Sequence, residues 1–96
     1  MSDTITAKLQ ELDDLILACD AVISDLTAIE TATANMLTDL LSAYRGGATP
    51  IIEDMQKPLK GHISMLKECY NTVKSYVFFA KQALEAQDRA LAEDLD

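Results

Sequence analysis

Apolar residues in the first half of the chain recur at alternating steps of four and three. This spacing predicts an amphipathic helix over about residues 3–43 with a heptad seam along one side. Glu30 and Thr33 interrupt that seam with polar groups. The seam comprises Ile5, Leu9, Leu12, Ile16, Cys19, Ile23, Leu26, Leu37, Leu40 and Tyr44. A second apolar column, spaced by seven, lies beside it at Leu15, Val22, Ile29 and Met36.

The second half predicts another helix over about residues 50–90. Its predicted seam is Ile52, Met55, Leu59, His62, Leu66, Cys69, Val73, Tyr76, Ala80 and Ala83, with a second column at Ile63, Tyr70, Val77, Leu84 and Leu91. A basic column, Lys60, Lys67, Lys74 and Lys81, borders this stripe, and we expect it near the acids of the first helix. Pro58 and Gly61 predict a kink near residues 58–61, and residues 91–96 form an acidic tail.

The two patterns meet at a turn over residues 44–49. Gly46 follows Tyr44 and Arg45, and glycine commonly supplies the left-handed conformation at a helix C-terminus. Thr49 and Pro50 then provide a typical helix start. We therefore predict one all-α domain over residues 1–96, an antiparallel two-helix hairpin that pairs into a four-helix bundle.

The apolar arc on each predicted helix is wider than a single neighbouring helix covers. Phe78 lies nearly opposite the seam, so a lone hairpin leaves it exposed. These features predict a surface for a protein partner that binds by helix packing. The expected interface residues are Leu15, Val22, Ile29, Met36, Tyr70, Val77, Phe78 and Leu84.

Charge narrows the classes of partner. The formal net charge of −8 argues against nucleic acids and anionic membrane surfaces. No apolar run is long enough to insert into a membrane, and no cleaved signal peptide is evident. The expected location is the cytoplasm, with export by a route that needs no cleaved signal as the alternative.

The sequence offers no catalytic, cofactor-binding or metal-binding constellation, so we expect a non-enzymatic protein without a cofactor. His62 is the single histidine. Its position on the predicted seam favours a polar layer that sets register, with a buried pH-sensitive or metal site as the alternative. Cys19 and Cys69 are expected to be buried and too far apart along the hairpin for a disulfide.

The segment Tyr44-Arg45-Gly46-Gly47-Ala48 resembles the mid-chain turn of the Trp-x-Gly (WXG, Esx) proteins of type VII secretion systems, and length and layout resemble that family throughout. Tyr44 replaces the family tryptophan. The family's Tyr-x-x-x-Asp/Glu export motif corresponds to Leu84 through Asp88, where Asp88 matches and Leu84 does not. An aromatic residue before a helix-ending glycine also occurs outside this family.

The resemblance implies a helical partner or targeting factor that binds the N-terminal helical region of a secreted effector, such as an LXG-domain toxin. It equally implies a small secreted Esx-like protein that pairs with a paralogue or itself, and the secretion ATPase as a further partner. Leu84 and Asp88 would then form the export motif. The alternative is a generic coiled-coil adaptor subunit without a secretion role.

Overall fold

The computed structural model describes residues 3–44 and 49–95, and the side chains of residues 3–44 and 49–91. Two helices account for nearly all of this, α1 over Asp3–Ala43 and α2 over Thr49–Leu95, and the described residues contain no strand. The prediction of an all-α antiparallel hairpin is confirmed. Arg45 and Gly46 of the predicted turn motif lie outside the described residues.

Contacts divide the chain into two compact units. The terminal unit comprises Met1–Ala21 and Tyr70–Asp96, and the turn unit comprises Val22–Cys69. Each unit contains one segment of α1 and one segment of α2.

In the terminal unit, two ion pairs establish how the helices run. Lys74 Nζ lies 2.7 Å from Asp20 Oδ1, and Lys81 Nζ lies 2.7 Å from Asp13 Oδ1. The partner on α1 moves back by seven residues as the lysine on α2 moves forward by seven, so the segments are antiparallel. Cys19 is buried in this unit.

In the turn unit, the most deeply buried side chain is Leu37, which is 1% exposed. Ile52 and Ile63 of α2 are also buried. Lys67 Nζ lies 3.6 Å from Glu30 Oε1 across the two helices. The predicted proximity of the basic column to acids of α1 is thus confirmed for Lys67 here, and for the two lysines of the terminal unit.

The seam predicted for α1 agrees with its burial, because its positions from Ile5 to Leu40 are buried or half-buried at steps of three and four. Tyr44, the last predicted seam residue, is 58% exposed. Glu30 and Thr33 are half-buried within the same line, and Glu30 meets Lys67 there. A polar layer therefore exists, formed by an ion pair and not by His62, which is exposed.

The seam predicted for α2 is wrong. Its members are exposed except for Ile52. The second column lies beside the paired lysines, with Ile63 buried, Tyr70, Val77 and Leu84 half-buried, and Leu91 exposed. The apolar arc of α2 is wide enough for either edge to face α1. The edge of α2 that faces α1 places the lysines against acids of α1, while the hydrocarbon parts of the lysine side chains remain beside apolar neighbours.

At the turn, two hydrogen bonds involve Tyr44. Its N–H donates to the Leu40 carbonyl at 2.9 Å, which continues the helical pattern by one residue. The Thr49 hydroxyl donates to the Tyr44 carbonyl at 3.3 Å. Thr49 thus satisfies an acceptor at the end of α1, a group that the helix itself leaves unpaired.

The helix α2 continues through Pro58 and Gly61. Proline inside a helix lacks the N–H that would donate to the carbonyl four residues earlier. Gly61 is exposed, and a Cβ atom added there would meet nothing within 4 Å. Both residues weaken the first third of α2 without ending it.

Candidate partner-binding surface

The turn unit exposes large apolar side chains on both helices. We define its apolar face as Ile29 and Met36 on α1 with Met55, Leu59 and Leu66 on α2. These side chains are between 38% and 52% exposed. Several such side chains together mark an interaction surface more strongly than single exposed apolar residues do.

The ion pair shows why these residues share one side of the turn unit. Consecutive residues of a helix point about 100° apart. Ile29 and Leu66 directly precede Glu30 and Lys67, which meet each other on one side of the helix pair. Ile29 and Leu66 therefore lie toward the other side, and Met36 and Leu59 extend their columns by seven residues.

An apolar groove crosses part of this face. Met55, Pro58, Leu59 and His62 line a volume of about 260 Å³. Their spacing of three and four places all four residues on one side of α2. The groove thus offers a concave apolar contact, with the His62 imidazole as its single titratable group.

The terminal unit exposes an aromatic group on α2. Tyr76 and Phe79 are 73% and 70% exposed, and Phe78 is 51% exposed. Phe78 and Phe79 line one groove with Asn71, Lys74, Ser75 and Gln82. Phe79 and Tyr76 line a second groove with Thr72 and Ser75. Exposed aromatic side chains are frequent anchors of protein interfaces.

The predicted interface residues fall into two sets. Leu15, Ile29, Met36 and Phe78 are exposed, whereas Val22, Tyr70, Val77 and Leu84 are half-buried. Tyr70, Val77 and Leu84 belong to the line of α2 beside the paired lysines, so their packing within the hairpin competes with any contact to another protein. The exposed set keeps its full surface for a partner.

The sequence did not predict the surface exposure of Met55, Leu59, Leu66, Val73, Tyr76 and Phe79. The charged residues carry the information that would have predicted this exposure. Lys74 pairs with Asp20 and Lys81 pairs with Asp13, and the residue numbers of each pair add to 94. Two antiparallel helices in this register bring such positions together. That match selects the lysine edge of α2 as the edge facing α1.

The structure describes Tyr44 of the turn motif and both residues of the export motif that the resemblance implies. Leu84 and Asp88 are one helical turn apart on α2 and are both half-buried. Tyr44 projects into solvent at the end of α1. The structure therefore presents Tyr44 more openly than Leu84 or Asp88.

The potentially reactive side chains are dispersed. Both thiols are free, with Cys19 buried, as expected, and Cys69 exposed, contrary to expectation. The predicted seam position of Cys69 lies on the edge of α2 that α1 does not cover. Among the described residues, no three His, Cys, Asp or Glu side chains converge as a metal-binding group.

The described helices contain no stretch that is both long and apolar enough to cross a membrane. No protein family, curated protein or solved structure matches this chain.

Proposed function

We propose that this chain is a non-enzymatic helical hairpin whose function is to pack against helices of a protein partner. The observation that carries the proposal is the uncovered apolar face of the turn unit. Helices of soluble proteins bury their apolar stripes against other elements. A partner that supplies helices completes a bundle on this face by the usual packing of side-chain ridges into grooves.

The biological setting that we propose is type VII secretion. Support comes from the hairpin layout, from the resemblance at Tyr44-Arg45-Gly46, and from Asp88 at the position of the family's acidic export residue. In this setting the hairpin binds the N-terminal helical region of a secreted effector and directs it to the secretion ATPase. A paralogue or a second copy is the alternative partner, with the hairpin itself as the exported protein.

The test is affinity purification from the native host, followed by mass spectrometry and light scattering of the complex. Met36→Asp places a charge in the apolar face and should lower partner recovery at least tenfold, because burying an unpaired carboxylate is costly. Leu17→Asp is the matched control. Leu17 is 64% exposed on α1 but lies outside the apolar face, so its substitution should preserve recovery.

Unchanged recovery with Met36→Asp would refute the face as the binding site. Export of the recovered partner then tests the secretion role. We expect Asp88→Ala to reduce export without reducing recovery. A partner that remains in the cell in wild-type cells, or a partner from a cytoskeletal assembly, would instead support the generic adaptor.

A further inference from the structure

The acids beside the apolar face are not balanced by nearby lysines. Within the turn unit, α1 carries Asp25, Glu30 and Asp39 and no lysine or arginine. Glu30 pairs with Lys67. Asp25 and Asp39 are exposed and have no ion-pair partner among the described residues.

The geometry of α1 places these two unpaired acids along the border of the face. At about 100° per residue, Asp25 points about 40° from Ile29 and about 20° from Met36. Asp39 points about 60° from Met36. Ala32, midway between the two acids, adds a small side chain that permits close approach of another helix. The α1 border of the face is therefore acidic and sterically open.

The lysines of the turn unit lie elsewhere. Lys67 is on the ion-pair side, and Lys60 lies seven residues earlier in the same column. Lys57 points about 60° further from the apolar face than Lys60 does. No lysine or arginine among the described residues of this unit borders the face.

From this arrangement we propose that the apolar face of the turn unit binds a helix whose apolar stripe is bordered by lysines or arginines. Such residues would meet Asp25 and Asp39 while the stripe covers Ile29, Met36 and Leu59. Complementary charge selects partners by penalising the wrong ones as well as by favouring the right one. The inference rests on the proposed function and specifies the chemistry of the partner.

A second copy of this chain is disfavoured at the same face. A symmetric pair joins the same patch from both subunits, so each acidic border would meet a face that no lysine or arginine borders among the described residues of the turn unit. Each copy also brings a formal net charge of −8. Helices that pair in other systems likewise use charges beside the apolar seam to choose partners.

The experiment uses two synthetic helical peptides of about four heptads with the same leucine and isoleucine stripe. One carries lysine at the positions that flank the stripe, and the other carries glutamate. Like charges on each peptide discourage its self-association. Calorimetric titration of the full chain should give at least tenfold tighter binding of the lysine peptide, with the difference shrinking as salt rises.

Charge reversal at the border provides the specificity test. Asp25→Lys with Asp39→Lys should exchange the preference and favour the glutamate peptide. Glu53→Lys with Asp54→Lys makes the same change in net charge at exposed positions that point more than about 100° from Leu59 and Leu66. This control should keep the preference for the lysine peptide, and circular dichroism melts establish that both variants fold.

Each contrary binding result would have a different consequence. Equal binding of both peptides, or tighter binding of the glutamate peptide, would overturn the charge preference and leave helix packing in place. A tight homodimer that Met36→Asp dissociates would also overturn the inference, because the occupant would be a second copy. Binding of neither peptide would overturn the inference and the proposed use of this face together.

Discussion

At the scale of single residues, Lys81 shows how the chain uses charge. Its Nζ atom lies 2.7 Å from Asp13 Oδ1 and 3.9 Å from Glu85 Oε1. The hydrogen bond to Asp13 raises the pKa of Lys81; desolvation opposes this, and attraction to Asp13 and Glu85 adds to it. Because the pKa of Lys81 is raised in the folded state, the contribution of this lysine to stability is fully present below the ordinary lysine pKa of 10.5. That contribution is lost as the pH rises through the pKa of the folded state. The pair thus holds throughout the neutral range.

Gly61 offers a direct test of local helix stability. Gly61→Ala should raise the free energy of unfolding by about 0.5–1 kcal/mol, because alanine loses less backbone entropy and its Cβ meets open space. Urea unfolding followed by circular dichroism measures this change. Peptide binding by the variant is the control and should match wild type. A destabilised variant would show that Gly61 does not lie in an unstrained, exposed helix.

At the scale of the helices, α1 and α2 differ in how much their sequences reveal. On α1, the seam predicted from periodicity is the buried line, and the second apolar column beside it is exposed except for the half-buried Val22. The arc of α2 includes exposed Leu59 and Val73 as well as half-buried Val77. Hydrophobic periodicity cannot choose between edges that are both apolar. The ion pairs between the helices determine which edge of α2 faces α1. Predicting them requires the charged positions of both helices to be compared.

Two valines of the same helix test this assignment. Val77→Asp should lower the free energy of unfolding by about 2–3 kcal/mol, because a carboxylate enters the line packed against α1. Val73→Asp is the matched control, since Val73 is 48% exposed and its substitution should cost under about 0.5 kcal/mol. Thermal and urea melts compare the two. Equal losses, or a greater loss for Val73→Asp, would place the wrong edge of α2 against α1.

The edge of α2 that faces α1 also determines which substitutions can test partner binding. Val77 and Leu84 were predicted to lie in the partner interface, yet both are half-buried beside the paired lysines. A charge at either position would damage the hairpin before it reported on partner binding. Met36 and Leu66 avoid this difficulty because their side chains are exposed in the isolated chain.

At the scale of the whole molecule, few side chains are buried. Only Cys19, Leu37, Ile52 and Ile63 are buried among the described residues. A chain of this size buries a small apolar core, so its stability on its own is expected to be marginal. Covering the exposed face by a partner adds the burial that the isolated hairpin lacks.

A bound partner should raise the thermal stability of the hairpin by a large amount. At a partner concentration of about 100 times Kd, binding to the folded chain alone adds roughly 2.7 kcal/mol. For a domain of this size the unfolding midpoint should rise by more than about 10 °C. Calorimetry of the hairpin with and without its co-purified partner measures the shift. Met36→Asp, which weakens binding, should remove most of it, and an unchanged midpoint would contradict the proposal.

The uncovered face also has a consequence for the life of the protein in the cell. Until a partner arrives, the hairpin displays the apolar surface that chaperones and proteases use to recognise incomplete molecules, and its marginal stability opens the backbone to cleavage. Under the proposed function, surplus copies are removed while paired copies persist. The abundance of this chain would then follow the synthesis of its partner. Degradation of unpaired copies would thereby keep the two proteins in a fixed ratio.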